Sequence, residues 1–332
     1  MHGTLLTLIL VALGIIWAAS RLAVYADAIA IRCNLSRSWI GILFVSIVTT
    51  LPEGAVTIGA LKHVGSPNLA VGNVFGSIMF NLTIIAFIDL ALRRGGILRL
   101  SQANSLLPVV CAMIMLLGTL GMLLFPLPLR VGPLRMGAGA LLLPVVFLGL
   151  LLYIRKQEAC NILPGVRQPP PRVRHPLLGF LVCAIIVIVC ATALAHLGDR
   201  IAGRFMLRHS FVGFILLAII TSLPELTFGI AAVRIGKYDL LLGNIMGANM
   251  INTIVIAVAD VVYRRETLQA PRVIGMEQIL VGILALLSMA LILTAIVKRH
   301  ETKQRRLIGL DSGLLLLIYA LCVVAMYFGI NH

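Results

Sequence analysis

Charge is scarce in this sequence. Only 12% of its 332 residues are Asp, Glu, Lys or Arg, about half the share usual in soluble domains. With 60% apolar residues, no water-soluble surface can be assembled around a chain of this size. Cysteine is sparse as well: six, at positions 33, 111, 160, 183, 190 and 322, with no CxxC spacing and mostly inside apolar runs. That leaves packing as their role and removes a disulfide framework or a thiolate metal site. The seven histidines fall near loops or the chain ends, so none is placed as a proton relay or metal ligand. Acidic residues number 12 against 27 Lys and Arg, a net charge of +15. A basic excess in so apolar a chain follows from the Lys/Arg bias of cytoplasmic loops and does not call for nucleic acid.

What is present is a series of long apolar runs. They lie near 4–26, 39–61, 68–91, 105–125, 133–154, 177–197, 210–233, 238–262, 273–297 and 309–330, each close to the roughly 20 residues that cross a bilayer. The connections are too short for any soluble domain. Trp17-Ala18-Ala19-Ser20 mimics a signal-peptide cleavage site, but no Lys or Arg precedes it, so the first run is read as a span. The longest connection, 155–176, holds Pro169-Pro170-Pro171 and five basic residues and reads as a solvated linker. It separates a first unit, 1–154, from a second, 177–332. The loops after spans 1, 3, 5, 7 and 9 carry 17 Lys/Arg and those after spans 2, 4, 6 and 8 carry 9, with Arg21 inside the first span. The heavier side is expected to be cytoplasmic, which places the linker inside and both termini outside a cell membrane. Five spans per unit then invert the second unit relative to the first.

The two units repeat. Gly41 to Lys62 matches Gly213 to Arg234 at an offset of 172, with Thr49/Thr221, Leu51/Leu223, Pro52/Pro224 and Glu53/Glu225 in register. The next stretch matches at 171: Gly72/Gly243, Asn73/Asn244, Gly76/Gly247, Met79/Met250, Asn81/Asn252 and Asp89/Asp260. One residue is lost in the turn around His63–Asn68. A duplicated unit with an odd number of spans is the mark of an inverted-repeat transporter. The expected fold is therefore an all-α integral membrane protein of ten transmembrane helices in two inverted five-helix repeats.

Each repeat carries a proline followed by a glutamate in mid-span. Pro52 deprives the Val48 carbonyl of its helical partner and loosens that of Thr49; Pro224 does the same to Ile220 and Thr221. In hydrocarbon such carbonyls must face protein or a polar cavity. Glu53 and Glu225 sit about 4 Å from the middle of their spans at 1.5 Å per residue. Two antiparallel helices thus bring two carboxylates, freed carbonyls and the hydroxyls of Thr50 and Ser222 to one midplane point. A charge there costs at least about 2.5–3.5 kcal/mol, so the pair requires a cation or protons. Hard oxygen donors suit Ca2+, Na+ or a competing proton, and nothing soft is positioned for Zn2+ or Cu+. Ser77 and Asn81 share a polar stripe with Asn73 on the third span. Asp89 and Asp260 stand four residues before Arg93 and Arg264 and are expected to form ion pairs at the membrane edge.

At these residues the chain resembles the cation/Ca2+ exchanger superfamily, the sodium/calcium exchanger membrane family, in a prokaryotic-type form without a regulatory domain. Its two motifs correspond to Thr49-Thr50-Leu51-Pro52-Glu53 with Gly72–Asn81, and Thr221-Ser222-Leu223-Pro224-Glu225 with Gly243–Asn252. The resemblance implies a ten-helix secondary antiporter, not an enzyme, with Ca2+ and Na+ (or H+) as transported ions; no cofactor and no obligatory protein partner are expected. It also implies a site on the second, third, seventh and eighth helices. There Glu53 and Glu225 would hold Ca2+ with the carbonyls of Thr49 and Thr221. Ser46, Thr50, Ala218, Ser222, Ser77, Asn81 and Asn252 would complete overlapping Na+ positions, Ser46 and Ala218 by main chain. The chain departs from the pattern at Ala248, which stands where the family has Ser, at Ile78, and at Asn81 and Asn252, both neutral. Proton-driven exchange is the alternative that these departures keep open. An intramembrane enzyme would need a Ser/His or paired-Asp set at matched depth, and the spans hold none.

Overall fold

The computed structural model describes residues 2–92, 106–125, 127–131, 134–160, 173–202, 215, 217–263, 267–268, 273–299 and 310–328. The helices are α1 (His2–Cys33), α2 (Arg37–Val64), α3 (Pro67–Leu92), α4 (Leu106–Leu124) and α5 (Ala138–Cys160). After the linker come α6 (Pro176–Ala202), α7 in two pieces (Ala218–Thr221 and Leu223–Arg234), α8 (Tyr238–Val262), α9 (Met276–Arg299) and α10 (Leu310–Phe328). Eight of them are long and apolar enough to cross a membrane. The remaining two are the interrupted α7 and α10, whose apolar stretch runs Asp311–Met326. Backbone groups inside hydrocarbon must bond within the segment, and helices do this locally, so every long apolar run becomes one.

Several helices outrun the apolar runs that predict them. α1 continues to Cys33, past position 26, because its polar last turns are tied down. Asp27 accepts a hydrogen bond from Arg37 Nε at 2.6 Å and lies 3.9 Å from Lys237 Nζ. Arg32 donates to the carbonyls of Val173 and Arg174, at 2.5 and 3.1 Å. The fifth span starts later than its apolar run. Residues 134–137 form strand β2 (Leu134–Gly137), antiparallel to β1 (Pro128–Val131), and α5 begins only at Ala138. The Arg130–Arg135 and Leu129–Met136 pairs of this hairpin carry no helical periodicity, so the apolar count alone ran through it. Residues 161–172 of the linker, and Arg93 and Arg264 of the expected ion pairs, lie outside the described residues.

Packing interleaves the two units. α3 is packed by α9 and α10 of the second unit, and α8 by α4 and α5 of the first. α2 lies against α8, α7 against α3, and α3 and α8 touch each other. α3 and α8 are the most enclosed spans and α5 the least. The outer surface is apolar in helical stripes, Leu178, Leu181, Ile185 and Val189 on α6 and Val145, Leu148 and Leu152 on α5, all exposed. That surface is suited to lipid. The chain is a multi-pass membrane protein of ten helices in an inverted-repeat layout.

The candidate ion site

The sequence around each proline-glutamate pair builds a helix with a defect ahead of it. In α2, Gly41–Val45 takes a wide π-type turn, closed by the Ser46 N–H on the Gly41 carbonyl. Ile215 and Leu217, at the equivalent positions of the second unit, share that conformation. Such bulges re-aim the following turn. The turn beyond differs between the repeats, and this is where the one-residue offset is absorbed. Ala60–Val64 is a second π-type turn, which accommodates the extra residue inside the helix. Arg234, by contrast, is followed by Ile235 alone before the chain reverses. Both turns then close on a left-handed glycine, Gly65 (φ 69°) and Gly236 (φ 74°), a conformation that costs other residues about 1–2 kcal/mol.

Glycine also sets how near α2 and α8 lie. A Cβ on Gly41 would stand 2.7 Å from the Asn244 nitrogen, and one on Gly243 would stand 2.4 Å from the Ser38 carbonyl oxygen. On Gly247 it would meet Ile42 at 2.5 Å and Ser46 Oγ at 2.8 Å. Backbones this close put the polar side chains of α8 directly on the bulge of α2.

All eleven positions that the sequence points to lie in the interior. Ser46, Thr49, Thr50, Glu53, Ser77, Asn81, Ala218, Thr221, Ser222, Glu225 and Asn252 are all buried. The two glutamates come from opposite repeats, and both are fully buried. Ser222 Oγ donates to Glu53 Oε1 at 3.3 Å. Glu53 Oε2 and both oxygens of Glu225 have no hydrogen-bond partner, nor does Thr50 Oγ1. Thr49 Oγ1 lies 3.4 Å from both the Ser46 carbonyl and Asn244 Oδ1. Its counterpart Thr221 Oγ1 lies 3.3 Å from the Ala218 carbonyl and 3.4 Å from Ser77 Oγ. Ser46 donates its hydroxyl to the Ile42 carbonyl, which leaves its own carbonyl as the group it offers toward Thr49.

The asparagines divide by role. Asn73 Nδ2 reaches the Glu53 carbonyl at 3.3 Å and Thr57 Oγ1 at 3.2 Å, fastening α3 to the turn that carries the glutamate. Asn81 Nδ2 donates to Asn249 Oδ1 at 3.2 Å, and both amide atoms of Asn252 have no partner. Asn249 is the residue that sequence reasoning passed over. It sits opposite Ile78 in the repeat, so the internal comparison offered no matching polar pair to flag it. Its signal was its place in Gly247-Ala248-Asn249, one residue beyond the small pair.

Among the described residues no three His, Cys, Asp or Glu side chains converge, and no Lys, Arg or His is buried. The arrangement is two carboxylates surrounded by hydroxyl, amide and carbonyl oxygens, with several donors and acceptors unpaired. Buried polar groups are normally paired. A concentration of unpaired ones on four helices at a repeat interface is the surrounding of a polar ligand, and the chemistry offered is hard-oxygen coordination.

Known proteins share this architecture. A solved structure of the exchanger NCX_Mj, soaked with Na+ and Sr2+, overlays with a TM-score of 0.69 at 20% identity, covering 97% of this chain and 99% of that one. The putative antiporter CaxA of Alkalimonas amylolytica is 29% identical over 249 residues, 73% of this chain and 75% of that protein. The inner membrane protein YrbG of Escherichia coli K12 is 29% identical over 251 residues, 73% and 74% of the two chains. The model of the sodium/calcium exchanger protein family matches residues 3–155 and 175–328, one match per repeat with the linker between them. With both repeats covered, the chain belongs to the sodium/calcium exchanger protein family.

Proposed function

We propose that this protein is a secondary antiporter exchanging Ca2+ for Na+ by alternating access, with Glu53 and Glu225 holding the divalent ion. One observation carries the reading: of the four carboxylate oxygens of two fully buried glutamates, one from each inverted repeat, three are unpaired, and among the described residues no Lys, Arg or His is buried. Ionised, each costs at least about 2.5–3.5 kcal/mol at membrane depth, and their mutual repulsion adds to that. A bound cation removes both costs. The carbonyls of Thr49, Thr221, Ser46 and Ala218, the hydroxyls of Thr50, Ser222 and Ser77, and the amide oxygens of Asn81 and Asn252 are the further ligands in this reading. Oxygen donors of this kind suit Ca2+ and Na+.

Coupling follows from competition. Ca2+ and Na+ use the same carboxylates, so one excludes the other, and the empty, doubly charged site does not easily change its facing. Residues 1–154 and 177–332 are the two repeats in this reading, joined by the linker 155–176. Asp27, in the last turns of α1, pairs with Arg37 at the start of α2 and lies 3.9 Å from Lys237 in the loop after α7. Asn68, in the first turn of α3, accepts from the Gly275 N–H at 2.9 Å, joining that end of α3 to the loop after α8. These contacts support a common side for the odd-numbered loops, and their Lys/Arg excess supports placing that side, with the linker, in the cytoplasm.

Ala248 favours a second reading. It leaves the Thr49 half of the site without the hydroxyl that Ser77 presents to Thr221, and protons would serve as counter-ions there. Ca2+ uptake into proteoliposomes under an outward Na+ gradient, an outward H+ gradient and no gradient decides between them. Uptake that requires Na+ supports the first reading, and uptake that follows H+ alone supports the second. Uptake under neither gradient, in folded protein, removes Ca2+ as the cargo.

A further inference from the structure

We infer that Arg21 binds the phosphate of an anionic phospholipid, held at the seam between α1 and α6 in the leaflet on the side of the linker. This is a lipid site on the outer surface, away from the buried glutamates.

Arg21 is exposed. It follows Leu10, Leu13 and Trp17 on one face of α1, all three more than half exposed, a stripe suited to lipid. Beside it, α1 and α6 pack closely. A Cβ on Gly14 would stand 3.0 Å from Cys190 Sγ, and one on Gly179 would stand 2.5 Å from the Tyr25 ring. The two helices therefore run antiparallel, with Arg21 level with Cys183. The apolar run of α6 opens at Leu177, level with Asp27 of α1, and Asp27 is engaged by Arg37 and Lys237. Both features mark the edge of the hydrocarbon on the linker side. Arg21 lies six residues inside that edge, about 9 Å at 1.5 Å per residue, in a core about 30 Å thick.

A guanidinium keeps its proton at any depth, so a charge placed there requires an anion. Arg21 makes no hydrogen bond or ion pair with the described residues. Asp27, the nearest acid on α1, stands about 120° round the helix from it and is already paired. The anion that a bilayer supplies is a lipid phosphate. Helical side chains lean toward their N-terminus, here away from the near edge, which works against Arg21 reaching the surface alone and favours a phosphate drawn in along the seam. Tyr25, one turn nearer the edge, lays its ring on Gly179 and carries a hydroxyl donor along that path. At the edge Arg32 and Arg174 are exposed, held together by the bonds from Arg32 to the Val173 and Arg174 carbonyls. Three arginines beside one already paired acid favour a headgroup with net negative charge.

The test uses the purified full chain in detergent, with phosphatidylglycerol and phosphatidylcholine as probes. Retained lipid is read by native mass spectrometry, and the unfolding temperature is followed as each lipid is titrated in. Phosphatidylglycerol should be retained and should raise the unfolding temperature, and phosphatidylcholine should do neither. Arg21→Leu removes a charge from the lipid face, so it should fold, and it should bind phosphatidylglycerol at least about tenfold more weakly. Arg174→Gln should weaken binding about fivefold. Arg21→Lys keeps the charge and loses the two-pronged donor; it should bind severalfold more weakly, and it decides the matter if the leucine variant does not fold. Unchanged phosphatidylglycerol binding in the Arg21 variants overturns the inference. So does an equal effect of phosphatidylcholine or of inorganic phosphate, or an Arg21-dependent dimer on gel filtration in place of lipid retention.

Discussion

α2 and α7 carry the same motif at the same depth, yet they fold it differently. α2 runs through Pro52 unbroken from Ser46 to Gly59. α7 stops at Thr221, turns at Ser222 (φ −87°, ψ 9°) and restarts with Pro224 in its first turn. A proline is tolerated in a first turn, where its missing N–H has no helical partner to lose; in a helix interior it leaves a carbonyl unmatched. The break frees Ser222 to reach across to Glu53, whereas its counterpart Thr50 has no partner and neither does Glu225. Near-equivalent sequences therefore hold inequivalent conformations. In an inverted repeat that is what a single facing requires: the opposite facing is reached when the halves exchange their conformations.

The comparison breaks most completely if the carboxylates are not a pair. Glu53→Gln and Glu225→Gln should each reduce Ca2+ exchange in proteoliposomes to the level of empty vesicles, with a normal gel-filtration profile. A single variant that retains transport means the two halves do not share the cation.

The exchange of roles is tested next. Ser222→Ala removes a hydrogen bond to a carboxylate, a loss of about 1.5–3 kcal/mol, and should lower exchange at least tenfold. Thr50→Val should lower it by a similar factor, because Thr50 takes the Ser222 role toward Glu225 in the opposite facing. If Thr50→Val transports normally, the asymmetry is permanent and not a snapshot of a cycle.

Glycine substitutions probe the scaffold that both conformations share. Gly243→Ala drives a Cβ into the Ser38 backbone and should cost about 1–3 kcal/mol, read as a lower unfolding temperature in detergent. The smallest effect has the opposite sign. Gly59 faces open space within its helix, so Gly59→Ala should stabilise by roughly 0.5–1 kcal/mol.

Much of the fold was legible because hydrocarbon leaves few choices. Long apolar runs had to be helices, and the offsets of 172 and 171 exposed the inverted duplication. The buried glutamates were legible for the same reason, since a carboxylate in mid-span has no structural excuse. Other features depend on pairings that no local pattern encodes. The hairpin at 128–137 hid within an apolar run. Asn249 acquires meaning only from Asn81, 168 residues away. Asp260 also reaches Gly137 in the other repeat, 123 residues away, besides Thr267 and Leu268 in its own loop.

The sequence by itself determined the ten spans, the two repeats and their opposed orientation, because helix rise and the absence of water in a bilayer convert residue position directly into geometry. Only the tertiary structure decided which helix breaks, how the extra residue of the first repeat is accommodated, and which oxygens remain unpaired around the glutamates. Those outcomes turn on close approach between distant segments, set by glycines whose missing Cβ lets two backbones meet, and that is a property of the packed pair and of neither strand of sequence alone.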